Sequence, residues 1–272
     1  MAKITAAEVN KLRKQTGAGM MDCKKALVEA EGDFEAAVDI LRKKGQKVAA
    51  KRADRDATEG AVIAKTNGTD KGAVIKLSCE TDFVAKNENF VALANKIADI
   101  ALASGVSTAE ELGAVEFEGG LTVAAKLQEQ TGVIGEKIEV AEMATVSAPY
   151  VASYIHMGNK IGTLVGLTAE AAEAGRDVAM QAAAMNPVAL NRDAVPQEVI
   201  DRELEVGKDL ARQEGKPEAM LDKIAAGRLN KFFKENTLVD QDFIKDSKLS
   251  VSKYLTSVEA GLAVVDFKRV SL

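Results

Sequence analysis

The sequence predicts an α+β protein: a small N-terminal three-helix module, then two related hairpin-plus-helix α+β subdomains, with an antiparallel helical (coiled-coil) arm inserted in the second. Three observations support this prediction. The first 45 residues hold three short helical patterns with capping signals. Two pairs of β-rich runs each precede a helical pattern, and two charged helical segments follow the second of these units.

Composition and charge limit the class of protein. The chain has 272 residues, 47% of them apolar, which is enough for more than one packed unit. Its apolar runs are short, and MAKITAAEVNKL lacks the apolar core of a secretory signal, so we expect a cytosolic chain with no membrane partner. A net charge of −5 argues against direct nucleic-acid binding. The basic stretch 42–52 is interpreted as a solvated linker.

Helix signals are clearest in the N-terminal module. The segment Thr5–Glu8 has the spacing of a capping box, and Gly17 suits the end of the first helix. A second helix follows, and a third is expected to end at Gly45. We therefore assign residues 1–45 to a three-helix recognition module and 46–58 to a linker.

The first α+β subdomain is predicted over residues 59–146. GAVIAKT and GAVIKLS are β-rich runs separated by a loop that contains Asn67 and Gly68, which is typical of a β-hairpin. The segment NENFVALANKIADIALASG then has the apolar period of a helix. EKIEVAEMATV (136–146) is expected to add a strand to the same sheet.

The second α+β subdomain, residues 147–272, repeats this order. VASYIHM and IGTLVGLTAE flank a turn at Gly158 and Asn159, and AAEAGRDVAMQAAAMNP follows as a helix. GLAVVDFKRV (261–270) is expected to add the last strand. The likeness of the two units indicates an internal duplication.

The helical arm is predicted at about residues 196–236. Two charged helical segments there are joined at Gly215–Pro217, and helices with so short a connection pack antiparallel. An ordinary pair of core helices is the alternative. The high charge of both segments favours an exposed arm.

The sequence has few candidates for catalytic, metal-binding or cofactor-binding residues. No complete phosphate-binding loop, GxSxG, HExxH or paired CxxC motif occurs in the sequence. His156 is the sole histidine, and Cys23 and Cys79 are interpreted as inert packing, so we predict no metal site and no cofactor. The pattern favours a binding protein over an enzyme. A plain adaptor, or an enzyme that uses Cys79 or His156, stays an alternative.

Two apolar sites have an orientation that local pattern leaves open. CETDFVAKNENF places an acid, Asp82, and a large ring, Phe83, between a strand and a helix. The ring can be tucked into its own core or project outward toward a partner. Met20 and Met21 can fill gaps in a core, but two neighbours cannot both face inward from one short turn. At least one of them is therefore expected to be exposed.

Two long stretches, LRKQTGAGMMDCKKAL (12–27) and CETDFVAKNENF (79–90), resemble the signature segments of bacterial elongation factor Ts. The resemblance continues through SYIHMGNKIGTLVG and GKPEAMLDKIAAGRLNKFF and so covers nearly the whole chain. It implies a guanine-nucleotide exchange factor for GDP-bound elongation factor Tu in translation elongation, with no catalytic chemistry of its own. The oligomeric state is left open, a homo-oligomer included.

The resemblance also implies roles for individual residues. In the family, the helical head contacts the GTPase domain of elongation factor Tu, and the TDFV loop enters that domain and disturbs its magnesium site. A histidine after the SY pair faces the partner's other domains. The matching positions here are Arg13, Met20, Met21 and Lys24 in the head, Thr81, Asp82, Phe83 and Val84 in the loop, and His156 in the second hairpin. The sequence departs from better-known members by one extra residue after His156 and by ending at VDFKRVSL without a further helix.

Overall fold

A computed structural model describes residues 4–272 and begins with a helical head. Its elements are α1 (Ala6–Thr16), α2 (Met20–Glu29) and α3 (Phe34–Arg52). The predicted capping box is confirmed, because the Thr5 backbone N–H donates to the Glu8 carboxylate at 2.7 Å while the Thr5 side chain caps the helix. Gly17 ends α1 in the left-handed conformation, at φ 71°. A small core of Leu12, Cys23, Leu27 and their neighbours holds the head together.

The first sheet region follows the head. Its elements are β1 (Glu59–Thr66), β2 (Lys71–Cys79), α4 (Asp82–Ala85), α5 (Glu88–Ser104), α6 (Ala109–Ala114), β3 (Glu116–Glu118), β4 (Leu121–Thr122), α7 (Val123–Ile134) and β5 (Glu139–Ser147). The strands β1, β2 and β5 form an antiparallel sheet in that order, which confirms the predicted hairpin and the predicted added strand. Helix α5 packs Phe90 and Ile97 against one face of this sheet, as its apolar period predicts.

The prediction that the third helix ends at Gly45 is wrong. Helix α3 continues through Gly45 to Arg52, so residues 46–52 are helical and the predicted linker does not begin at 46. Gly45 is buried where α3 crosses α7, and a side chain on Gly132 would collide with the Gly45 backbone. This contact, between residues far apart in the chain, outweighs the low helix propensity of glycine. The basic stretch is therefore the end of a helix, where cations interact favourably with the helix dipole.

The second sheet region has the same plan. Its elements are β6 (Tyr150–Ile155), β7 (Ile161–Leu167), α8 (Ala172–Met185), α9 (Gln197–Gln213), α10 (Leu221–Asn236), β8 (Asp242–Phe243), β9 (Asp246–Ser250), α11 (Val251–Val258) and β10 (Val264–Ser271). The antiparallel sheet has the order β10-β7-β6, which confirms the second hairpin and the last strand. Helix α8 covers one face of it, as α5 covers the first sheet.

The two sheets pack face to face and make one body. Val62 and Val74 of the first sheet meet Val151 and Leu164 of the second in a shared apolar cluster. Glycine permits this approach: a Cβ on Gly162 would lie 2.8 Å from a Val62 methyl carbon, closer than carbon atoms pack. The layers therefore run α5, first sheet, second sheet, α8, which is an α+β architecture.

Helices α9 and α10 form the predicted antiparallel arm. Ion pairs join them near their connection, with Lys208 Nζ 3.0 Å from Asp222 and Arg228 Nη2 2.6 Å from Glu214. Only Gly207 and Ala211 of α9 are buried, so an exposed arm is confirmed over a pair of core helices. Within residues 4–272, no helix is long and apolar enough to cross a lipid bilayer.

Candidate partner-binding surface

The loop after β2 presents an aromatic ring to solvent. Phe83 is 85% exposed, so of the two orientations that the sequence leaves open, the outward one is confirmed. The ring sits on α4, a helix of only four residues, none of which is buried. Thr81 caps this helix by accepting a hydrogen bond from the Val84 backbone N–H at 3.5 Å. The sequence therefore exposes its most hydrophobic loop residue on a very short element.

One carboxylate holds the start of this loop in place. Glu136, in the segment after α7, accepts hydrogen bonds from the backbone N–H groups of Glu80 at 3.1 Å and Thr81 at 3.0 Å. It also accepts one from the Thr81 hydroxyl at 2.6 Å. Hydrogen bonds to an ionised acceptor are stronger than neutral ones. The loop is thus fixed at its first residues, directly before α4.

A second carboxylate links the same loop to the helical head. Glu80 accepts a hydrogen bond from the Lys137 backbone N–H at 2.7 Å. It also forms an ion pair with Arg52, whose guanidinium donates to the Glu80 carboxylate at 2.7 Å. The Lys137 hydrogen bond, together with Arg52, lowers the pKa of Glu80 below its usual value. Because Arg52 is the last residue of α3, the head and the loop share one set of contacts.

Asp82 makes a local ion pair. The Lys86 ammonium donates to its carboxylate at 2.6 Å and lowers the pKa of Asp82. The following helix is capped by Asn87 and not by Asp82, because the Asn87 side chain accepts from the Asn89 backbone N–H at 2.9 Å. Asp82 is the first residue of α4, where an acidic side chain also interacts favourably with the helix dipole.

The head and the loop face a common groove. This groove has a volume of about 420 Å³ and is lined by Gly17 of the α1–α2 turn, by Phe83 and Val84, and by Val133 and Ile134 of α7. The lining is mostly apolar, and concave apolar surfaces with an exposed aromatic ring at their edge are typical of protein-binding sites. Gly17 is the residue of the head in this lining, and the predicted head contacts Arg13, Met20, Met21 and Lys24 lie outside the groove.

The predicted head residues all lie at the surface. Met20 is 53% exposed and Met21 is 62% exposed, so both side chains face outward and the core position is filled by Cys23 instead. Arg13 and Lys24 are exposed as well. The expectation that at least one of the two methionines is exposed is confirmed.

His156 lies on a separate part of the surface. It is exposed in the turn after β6, and its Nδ1 is 3.1 Å from the Tyr154 hydroxyl. The next residue, Met157, is 89% exposed and was not singled out from the sequence. A large apolar side chain at the tip of a hairpin extends the surface around His156.

The two cysteines are buried, as predicted. Burial raises the pKa of the Cys79 thiol to about 12, and this thiol donates to the Thr81 carbonyl at 3.2 Å. Cys23 lies in the core of the head. A thiol that stays protonated near neutral pH is a poor nucleophile, which disfavours the hypothesis of a Cys79-dependent enzyme.

Three residues of the loop network were missed from the sequence. Arg52, Glu80 and Glu136 are ordinary charged residues in the sequence, and only Glu80 lies within the motif CETDFVAKNENF. Glu136 lies 55 positions from Thr81, and a single glutamate after a glycine is not a distinctive pattern. Contacts of this kind depend on the fold and carry no local signal.

An exposed ring on a clamped loop beside a helical head is a surface typical of protein-binding modules. The family model described as Elongation factor TS matches residues 80–272. The chain is 62% identical to Elongation factor Ts of Christiangramia forsetii (strain DSM 17595 / CGMCC 1.15422 / KT0803) over the full length of both chains. It is 57% identical, again over both full lengths, to Elongation factor Ts of Flavobacterium psychrophilum (strain ATCC 49511 / DSM 21280 / CIP 103535 / JIP02/86). The chain belongs to the elongation factor Ts family, a family of translation elongation factors.

Proposed function

We propose that this chain is a guanine-nucleotide exchange factor for elongation factor Tu, with no catalytic chemistry of its own. It binds the GDP complex and inserts the Asp82-Phe83 loop beside the magnesium and phosphate site, which promotes GDP release and GTP entry. The observation that carries the proposal is the 85% exposure of Phe83 on a capped and clamped loop. Membership in the elongation factor Ts family supports the choice of partner.

The loop acts on the partner's metal site without touching the nucleotide. A magnesium ion that bridges nucleotide phosphates to a GTPase is among the largest local charges in the site. Insertion of Phe83 between helices of the partner displaces the backbone that organises this ion. Nucleotide exchange rests on thermodynamic coupling between two binding equilibria. This chain lowers the affinity of the GTPase for nucleotide by the same ratio by which nucleotide lowers its affinity for this chain.

Phe83 does not suffice by itself. A nucleotide held with nanomolar affinity is bound by about 12 kcal/mol. Complete burial of one Phe side chain supplies about 1.5–3 kcal/mol, which corresponds to a shift of roughly ten- to a hundredfold. The remaining free energy has to come from other contacts that hold the partner in its distorted state.

The other contacts are assigned to the head and to the second hairpin. Met20 and Met21 offer exposed apolar surface, and Arg13 and Lys24 offer exposed positive charge, to the GTPase domain. His156 contacts the partner's other domains from the β6–β7 turn. Thr81 and Val84 belong to the loop that enters the partner, and in the free chain both are half-buried.

Release of fluorescent GDP from the cognate elongation factor Tu tests the proposal. Addition of this chain at micromolar concentration is expected to accelerate GDP release, and the acceleration should saturate as the complex fills. Binding to the GDP complex without any acceleration would contradict the exchange function and leave a plain adaptor.

A further inference from the structure

We propose that Glu136 is the positioning residue for Phe83: its carboxylate sets the conformation of the loop so that the ring is held in its outward position before the partner arrives. The inference rests on the exchange function proposed above. It assigns a role to a residue that lies outside the loop and outside the surface that the partner is proposed to contact.

A continuous path of hydrogen bonds joins Glu136 to the ring's own helix. One carboxylate oxygen accepts from the Thr81 hydroxyl at 2.6 Å, and the same hydroxyl oxygen accepts from the Val84 backbone N–H at 3.5 Å. The hydroxyl hydrogen is thus directed to Glu136, which leaves a lone pair on Thr81 free to cap α4. The other carboxylate oxygen fixes the backbone of Glu80 and Thr81.

Helix α4 is too short to be stable by itself. It comprises four residues, and an isolated helical turn costs more conformational entropy than its hydrogen bonds return. Val84 and Ala85 are half-buried and pack against the core of the first sheet region, whereas Phe83 exposes 85% of its surface. The cap at Thr81, and the contacts that orient it, therefore act together with this packing to set the direction of the ring.

The chemistry of the site favours a carboxylate over any other side chain. Three donors converge on Glu136, two backbone N–H groups and one hydroxyl, and an ionised carboxylate offers acceptors on both oxygens. Glutamine in the same place keeps one carbonyl oxygen but turns an NH₂ group toward the third donor. Alanine leaves the two N–H groups without this partner, which is costly where they are sheltered from water.

The network also sets where the ring stands relative to the head. Glu80 in turn accepts a hydrogen bond from the Lys137 backbone N–H at 2.7 Å. The loop segment at Glu80 and the segment at Glu136 are therefore joined through both carboxylates. Glu80 is ion-paired to Arg52 at the end of α3. Pre-organisation of this kind lowers the conformational entropy that a binding partner must otherwise supply.

The experiment compares Glu136→Ala and Glu136→Gln with the unaltered chain and with the control Glu139→Gln. Glu139 is three positions away and pairs with Lys137 at 3.0 Å, without a hydrogen bond to residues 80–85 among the described contacts. Amide hydrogen exchange of the free chain is measured at Glu80, Thr81 and Val84. GDP release from elongation factor Tu is measured with each variant, alone and combined with Phe83→Ala.

We expect Glu136→Ala to lower amide protection at these three positions by about tenfold or more while the fold remains. The N–H groups of Glu80 and Thr81 lose their acceptor, and the Thr81 hydroxyl that accepts from the Val84 N–H is no longer held in place. Acceleration of GDP release should fall toward that of Phe83→Ala, with Glu136→Gln in between and Glu139→Gln unchanged. In a chain that already carries Phe83→Ala, adding Glu136→Ala should not lower the rate of GDP release any further, because Glu136 acts through the ring.

Three results would overturn the inference: unchanged loop protection, unchanged acceleration, or an equal loss in the Phe83→Ala background. The last would mean that Glu136 acts by general destabilisation. If the unaltered chain fails to accelerate GDP release, the proposed function falls, and amide exchange in the free chain still decides whether Glu136 holds the loop.

Discussion

At the scale of single residues, the loop depends on charge that is lost in acid. Glu80 has a pKa below its ordinary value of 4.5, mainly because the ionised carboxylate accepts the Lys137 N–H hydrogen bond and also pairs with Arg52. A carboxylate with a lowered folded pKa contributes stability that is complete above its unfolded pKa. That stability disappears as the pH falls from 4.5 through the lowered value.

We therefore predict that the protection of the Lys137 amide is constant near neutral pH and declines in acid. Protection factors measured by NMR from about pH 6 to about pH 3 should fall once the pH passes below the ordinary range of a glutamate. The matched variant Glu80→Gln should start from lower protection and show a weaker pH dependence. Equal pH dependence in both chains would show that other carboxylates control this segment.

The same scale explains which residues could be predicted. Thr5 and Gly17 act within a few residues of their positions, so their capping roles follow from spacing alone. The orientation of Phe83 and the partners of Glu136 depend on segments that approach each other only in the fold. Local pattern therefore left the ring undecided and gave no reason to select Glu136.

At the scale of elements, the crossing of α3 and α7 fixes the head on the body. Gly45 lies against the backbone of Gln128, and a Cβ at Gly45 would be 3.1 Å from the Gln128 carbonyl oxygen. At Gly132 there is less room, because a Cβ there would collide with the Gly45 backbone. Helix α3 carries Arg52 to the loop network, so this crossing controls the placement of both the head and Phe83.

We predict that Gly132→Ala destabilises the protein by about 1–3 kcal/mol, because backbone atoms cannot yield as a flexible side chain can. The control is Gly227→Ala in α10, where a new Cβ meets nothing within 4 Å. That change should stabilise the arm by about 0.5–1 kcal/mol through higher helix propensity. Chemical denaturation of the two variants measures both effects, and a neutral or stabilising Gly132→Ala would contradict the close contact.

The elements themselves were predictable where their signals are local. Both hairpins carry their turn residues, at Asn67-Gly68 and Gly158-Asn159, and each is followed by a strongly periodic helix. The end of the third helix was not predictable, because glycine commonly ends a helix. Only the packing against α7 shows that α3 continues through Gly45. Short strands such as β3 and β8 have too few residues for a periodic pattern.

At the scale of the whole molecule, two packed sheets form one body that carries separate predicted contact surfaces. Gly17 of the head and Phe83 line one groove, and His156 and Met157 occupy the tip of the second hairpin. The arm, to which no contact with the partner is assigned, extends from the second sheet region. A distributed surface agrees with the energy estimate, in which one buried ring covers only part of the nucleotide's binding free energy. Removal of the ring should therefore weaken exchange without abolishing association.

The most direct test of the central claim is the rate of GDP release from elongation factor Tu with Phe83→Ala in place of the unaltered chain. The rate should fall at least about tenfold, since the ring's burial in the partner is lost. The melting temperature should stay the same, because the ring is 85% exposed in the free chain. Met220→Ala, at an exposed apolar residue of the arm, is the control and should leave the rate unchanged. An unchanged rate with Phe83→Ala, or a lower rate accompanied by a large drop in melting temperature, would contradict the account.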